Sequence, residues 1–124
     1  MDSALRSKLV DISSVLKEKT EQLNSLLAQA EQKLVSMSLG IEASVTIDDV
    51  YRLAFMKYGP DWGLYICRSG ESVPTPVLRS SRSLRVSAAM KLDALCEDIL
   101  STGHSMTNEV EIAIRSAANF IKNN

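Results

Sequence analysis

Between Ile41 and Ile47 the chain alternates strictly: Ile41, Ala43, Val45 and Ile47 fall on one side, Glu42, Ser44 and Thr46 on the other. A period of two is the mark of a half-buried strand. Asp48-Asp49 ends the alternation as a turn. Val50–Tyr58 is rich in Tyr, Leu, Phe and Val, which favours a second strand, though it could also be a short helix capped by Asp48. The next residues decide between the two. Gly59-Pro60-Asp61 is strong turn chemistry, and Trp62–Arg68 is another apolar run of strand length, so the two runs form a hairpin. The pattern predicts a three-stranded antiparallel meander over residues 41–68. One face of it (Ala43, Val45, Leu53, Phe55, Leu64) needs helices to cover it. Five of the six aromatic residues lie here, Tyr51, Phe55, Tyr58, Trp62 and Tyr65, so the core is expected here too.

The flanks carry a different period. Residues 3–37 contain neither Pro nor Gly, and Leu9, Leu16, Leu23, Ala30 and Met37 recur every seven residues. Leu5, Ile12 and Leu26 fill the companion heptad position, which Lys19 and Lys33 interrupt. The pattern predicts one amphipathic helix over residues 1–39 with an imperfect coiled-coil seam, ended by Gly40. At about 1.5 Å per residue, 35 residues span roughly 50 Å. A compact chain of this size has a radius of gyration of only about 14 Å. The helix must therefore break, with Ser13-Ser14 as the one candidate, or expose apolar surface to another chain. The second outcome is favoured: a homodimer whose interface includes Leu9, Ile12, Leu16, Leu23 and Leu27.

After the sheet, Gly70, Pro74 and Pro76 mark residues 69–80 as a loop. Ser80 or Ser81 caps a helix over 81–101, with Leu84, Ala88, Leu95 and Ile99 on its apolar face. Ser101–His104 reads as a break, followed by a last helix over 105–122 with Val110, Ile114, Ala117, Ala118 and Ile121 inward. The short connection predicts antiparallel neighbours. The expected fold is thus α+β, in the order α-β-β-β-α-α, in a single domain over 1–124.

Composition narrows the chemistry. A net charge of −1 with 45% hydrophobic and 23% charged residues is that of an ordinary globular chain, with no bias toward nucleic acid or membrane. Met1-Asp2-Ser3-Ala4 shows no signal sequence, and with two cysteines, Cys67 and Cys96, in apolar surroundings the expectation is reduced core thiols in a cytoplasmic protein. The glycines are scattered, the one histidine is His104, and no nucleophile–base pair or metal-ligand spacing is readable. No cofactor is expected.

One charged stretch stands out. Arg79, Ser80, Ser81, Arg82, Ser83 and Arg85 surround a predicted helix N-terminus, where basic residues oppose the helix dipole. Backbone N–H groups, serine hydroxyls and guanidiniums there would suit an anion or an acidic partner. The competing reading pairs the arginines with Glu42, Asp48 or Asp49, or with acidic residues of a second subunit, and is slightly favoured. The leading functional expectation is a non-enzymatic, self-associating module that binds another protein. Binding of an anion or a nucleic-acid backbone is the second, less favoured reading.

Overall fold

A computed structural model describes residues Met1–Asn124. The order is α1 (Ser3–Ser36), β1 (Ala43–Thr46), β2 (Tyr51–Tyr58), β3 (Asp61–Arg68), β4 (Thr75–Pro76), a 3-10 turn (Val77–Arg79), α2 (Arg82–Met90) and α3 (Leu92–Asn123). The fold is α+β: a long N-terminal helix, an antiparallel sheet in the order β1-β2-β3-β4, and two C-terminal helices. The sheet has one strand more than the meander read from the sequence. β4 is only two residues long and carries Pro76, so no periodicity could announce it.

Register places the apolar stripe as the alternation requires. Val45 lies opposite Leu53 and Leu53 opposite Ile66; Ala43 lies opposite Phe55 and Phe55 opposite Leu64. Leu53, Phe55, Leu64 and Ile66 are buried on this inner face. Leu27 and Leu34 of α1, Val77, Ala88 of α2, and Leu95 and Ile99 of α3 close over them. Phe55 stacks on Trp62 with ring centroids 5.3 Å apart. Gly59 takes φ 62° at the first of the two turn positions, a left-handed conformation that costs glycine little and suits the twist of a tight hairpin. Asp48 builds the other turn, its Oδ1 accepting from the Val50 and Tyr51 N–H groups at 2.8 Å each.

The open edges of the sheet are closed by carboxylates. On the β1 edge the Ser44 N–H donates to Asp98 of α3 (3.2 Å). β4 pairs only with Tyr65 and Ile66, which leaves the earlier part of β3 exposed. There the Leu64 N–H donates to Glu31 of α1 (2.8 Å). A Cβ on Gly63 would sit 2.9 Å from that carboxylate, so glycine makes room for it. Arg52 ties β1 to β2 from the outer face, donating to the Ser44 and Thr46 hydroxyls and the Ser44 carbonyl.

The first helix is the single run expected, and the C-terminal helices differ from expectation in two ways. α1 is continuous through Ser13-Ser14 and ends at Ser36, before a turn in which Ser38 and Gly40 both take positive φ. The break expected at Ser101–His104 is absent: α3 runs through Gly103 without interruption, so the helices assigned to 81–101 and 105–122 are not antiparallel neighbours. A Cβ at Gly103 would lie 3.1 Å from Ile41 Cδ1; this glycine lets the helix approach the sheet. The actual bend is at Lys91 (φ −103°, ψ 2°). It redirects the chain from α2, which packs on α1, to α3, which packs on β1. Ser81 is the N-cap of α2, accepting from the Leu84 N–H.

Two measurements test this framework. Removing the Glu31 carboxylate strands a part-buried N–H, so Glu31→Ala should lower unfolding free energy by about 1–3 kcal/mol, whereas Glu21→Ala on the exposed part of α1 should change it little. Tyr65 has its phenol pKa raised by burial first, then by the charges of Asp61 and Glu31 and by Tyr58. The folded chain therefore holds this proton where the unfolded chain, with a tyrosine pKa of about 10, releases it. Its contribution is complete below that value, and stability falls as pH rises from there through the folded pKa. Urea unfolding of Tyr65→Phe should show a shallower decline in this alkaline window than the parent chain.

Candidate interaction surface

The core uses only part of each long helix. In α1 every residue before Thr20 is exposed; in α3 every residue after Gly103 is exposed. Glu31 meets Leu64, while Val35 and Ser38 line a cleft with Phe55 and Trp62, so α1 advances toward the β2–β3 turn. α3 advances the same way, from Asp98 at Ser44 to Gly103 at Ile41. The free N-terminal arm of α1 and the free C-terminal arm of α3 consequently leave the body at opposite ends. Each is roughly twenty residues, or about 30 Å of helix.

Both arms are amphipathic. On α1, Leu5, Leu9, Ile12 and Leu16 keep between 42% and 60% of their surface exposed. On α3, Val110, Ile114, Phe120 and Ile121 are exposed to 56–75%. Sequence periodicity turns Val110, Ile114 and Ile121 inward, and the structure turns them out. Periodicity identifies a stripe but cannot say whether the same chain supplies the surface to cover it. Of the five residues expected at an oligomer interface, Leu9, Ile12 and Leu16 are free. Leu27 is buried in the core and Leu23 packs against it, so neither is available to a second chain. Leu5, seven positions before Ile12, belongs to the free stripe instead. Leu26 stays exposed beside the body, because α1 meets the core through Leu23, Leu27 and Leu34, a face turned away from the Leu5–Ile12–Leu26 side of the seam.

Magnitudes say what this surface can hold. Covering the exposed half of a leucine or isoleucine contributes about 1 kcal/mol. Four residues laid on a polar surface would yield about 4 kcal/mol, no more than the low end of the cost of association, about 4–15 kcal/mol. Two matching stripes double the gain. The arm therefore suits an equally apolar helix and not a polar face.

The arginine stretch is differently placed. Arg79 and Arg82 are exposed and Arg85 is half-buried. None makes a salt bridge; the ion pairs of the chain are Arg68–Glu71 and Arg115–Glu111, both exposed. Of the expected acidic partners, two are otherwise engaged: Glu42 accepts from the Lys57 N–H and Asp48 holds its own turn, while Asp49 pairs with no arginine. Ser81 is committed to capping and Ser80 donates to the Val77 carbonyl, which leaves Ser83 as the free hydroxyl of the group. The Arg85 Nε is shielded from solvent and has no acceptor.

Elsewhere the chemistry is sparse. Cys67, on the outer sheet face, has its thiol pKa raised by burial, which the nearby Arg52 charge partly opposes. Cys96 is exposed on α3, so of the two only Cys67 resembles the core thiol expected; both are free. His104 lies exposed inside α3 and not in a turn. No three His, Cys, Asp or Glu side chains converge, and no helix is long and apolar enough to cross a membrane. An apolar cleft of about 320 Å³ between the end of α1 and α3 is lined by Leu34, Met37, Leu39, Cys96, Ile99 and Leu100. No family model matches the chain, and no curated protein or solved structure shows significant similarity to it.

Proposed function

We propose that this chain is a cytoplasmic, non-enzymatic interaction protein that self-associates and uses its helical arms to bind another protein. One observation carries the reading: the two helices that complete the core continue about twenty residues beyond it, with their apolar stripes bare. Isolated helices of this length are marginal in water unless a face is packed. A contiguous apolar strip rimmed by polar residues is the usual form of a protein interaction site.

The test is molar mass by light scattering across a concentration series. A species heavier than the 13.6 kDa chain should appear as concentration rises. A monomer at all concentrations up to about 1 mM, where even a millimolar complex would be half formed, would remove self-association.

A second reading is binding of an anion or nucleic-acid backbone around Arg79, Arg82 and Arg85, favoured by the lack of any carboxylate partner for them. Affinity for duplex DNA should then fall steeply with salt and weaken in Arg79→Ala and Arg82→Ala. A flat salt response would end this reading.

A further inference from the structure

We propose that the α1 arm pairs with the α1 arm of a second copy, antiparallel, in a two-fold register centred between Val10 and Asp11. This deepens the self-association reading above and rests on it. The seam residues in order are Asp2, Leu5, Leu9, Ile12, Leu16 and Lys19. In an antiparallel seam the two kinds of core position face each other across the axis. In this register Leu9 packs against Ile12 of the second copy and Leu5 against Leu16. The same alignment brings Asp2 at one end of the seam to Lys19 at the other, twice by symmetry. The six layers are thus four apolar ones closed at each end by opposite charges.

The alternatives fit less well. A parallel, in-register pair would stack Lys19 on Lys19 and Asp2 on Asp2 inside the seam, placing like charges in contact. The flanking positions of the antiparallel register raise no such conflict, since Arg6 faces Ser13 and Lys8 lays its stem over Val15.

Geometry supplies a second argument. The seam residues Asp2 through Lys19 all precede Thr20, the first residue of α1 that is not fully exposed, and Leu23, the first to pack against the core. The pairing therefore uses only the free arm, and the two-fold axis puts the two bodies at opposite ends of it. Asp2 remains free to serve both purposes: one carboxylate oxygen caps the Ala4 N–H, leaving the other for Lys19. The pairing is isologous and closed, so it stops at two copies.

The experiment is cross-linking in full-length protein in which Cys67→Ser and Cys96→Ser leave no native thiol. Chains carrying Leu5→Cys and chains carrying Leu16→Cys are oxidised separately and mixed. The proposed register predicts a disulfide-linked dimer from the mixture and little from either chain alone. Cross-linking within each chain type alone, with none gained on mixing, would overturn the antiparallel register. Leu9→Glu in the otherwise unaltered chain should weaken dimerisation by about a hundredfold or more, as loss of a central anchor does. Because Leu9 is exposed and outside the core, circular dichroism and thermal unfolding of this variant should still report a folded chain. A Leu9→Glu chain that dimerises like the parent would place self-association on another surface and reject this inference alone. A parent chain that is itself monomeric would instead reject the self-association reading beneath it.

Discussion

Everything in this molecule depends on closing a small sheet whose edges are open. The inner face asks for apolar cover, and Leu27, Leu34, Leu95 and Ile99 provide much of it. The edges ask for hydrogen-bond acceptors, because an exposed strand edge invites pairing with another chain. α1 and α3 answer both needs from neighbouring turns, with Glu31 reaching the Leu64 N–H and Asp98 the Ser44 N–H. A carboxylate on a backbone N–H is a charge-assisted bond, stronger than a neutral one and demanding in position. These two contacts anchor one end of each helix, the C-terminal part of α1 and the N-terminal part of α3, to a particular sheet residue.

That anchoring decides where the arms go. Because Glu31 lies near the C-terminal end of α1 and Asp98 near the N-terminal end of α3, the unused length of the two helices projects from opposite ends of the sheet. The arms cannot cover one another within one chain. The same arrangement that satisfies the sheet thereby leaves two apolar stripes unsatisfied, and links the architecture of the fold to its proposed role in association. The outer sheet face contrasts with them: Arg52 has its donors occupied by β1, and Tyr65, Ala54 and Gly63 are buried there.

The arginine stretch illustrates how an arrangement can be visible in sequence while its meaning is not. Spacing places Arg82 and Arg85 within a turn of one helix and Ser80 or Ser81 at its cap; the structure has both arginines in α2 and takes Ser81 as the cap. Their partners are beyond the reach of spacing, because ion pairs depend on what folds alongside. Glu42 and Asp48 are occupied by backbone N–H groups close to them in the sheet.

Local signals by themselves determined the α+β class, the hairpin around Gly59-Pro60, the inner face of the sheet and the long first helix. The faces and the helix are written in spacings of two, three to four, or seven residues and the hairpin in turn chemistry, and each depends on neighbours in the chain. Gly103 misled for the same reason: as a local signal it reads as a break, while its use is to admit Ile41 from beside a distant strand. The bend at Lys91 left no trace, since the apolar spacing of Leu84, Ala88, Leu92 and Leu95 continues across it. Only the tertiary structure decided which part of each stripe is core and which is surface. Leu9 lies on the heptad seam and Leu27 beside it on the same helix, and what separates their fates is that the sheet lies under the second and not under the first.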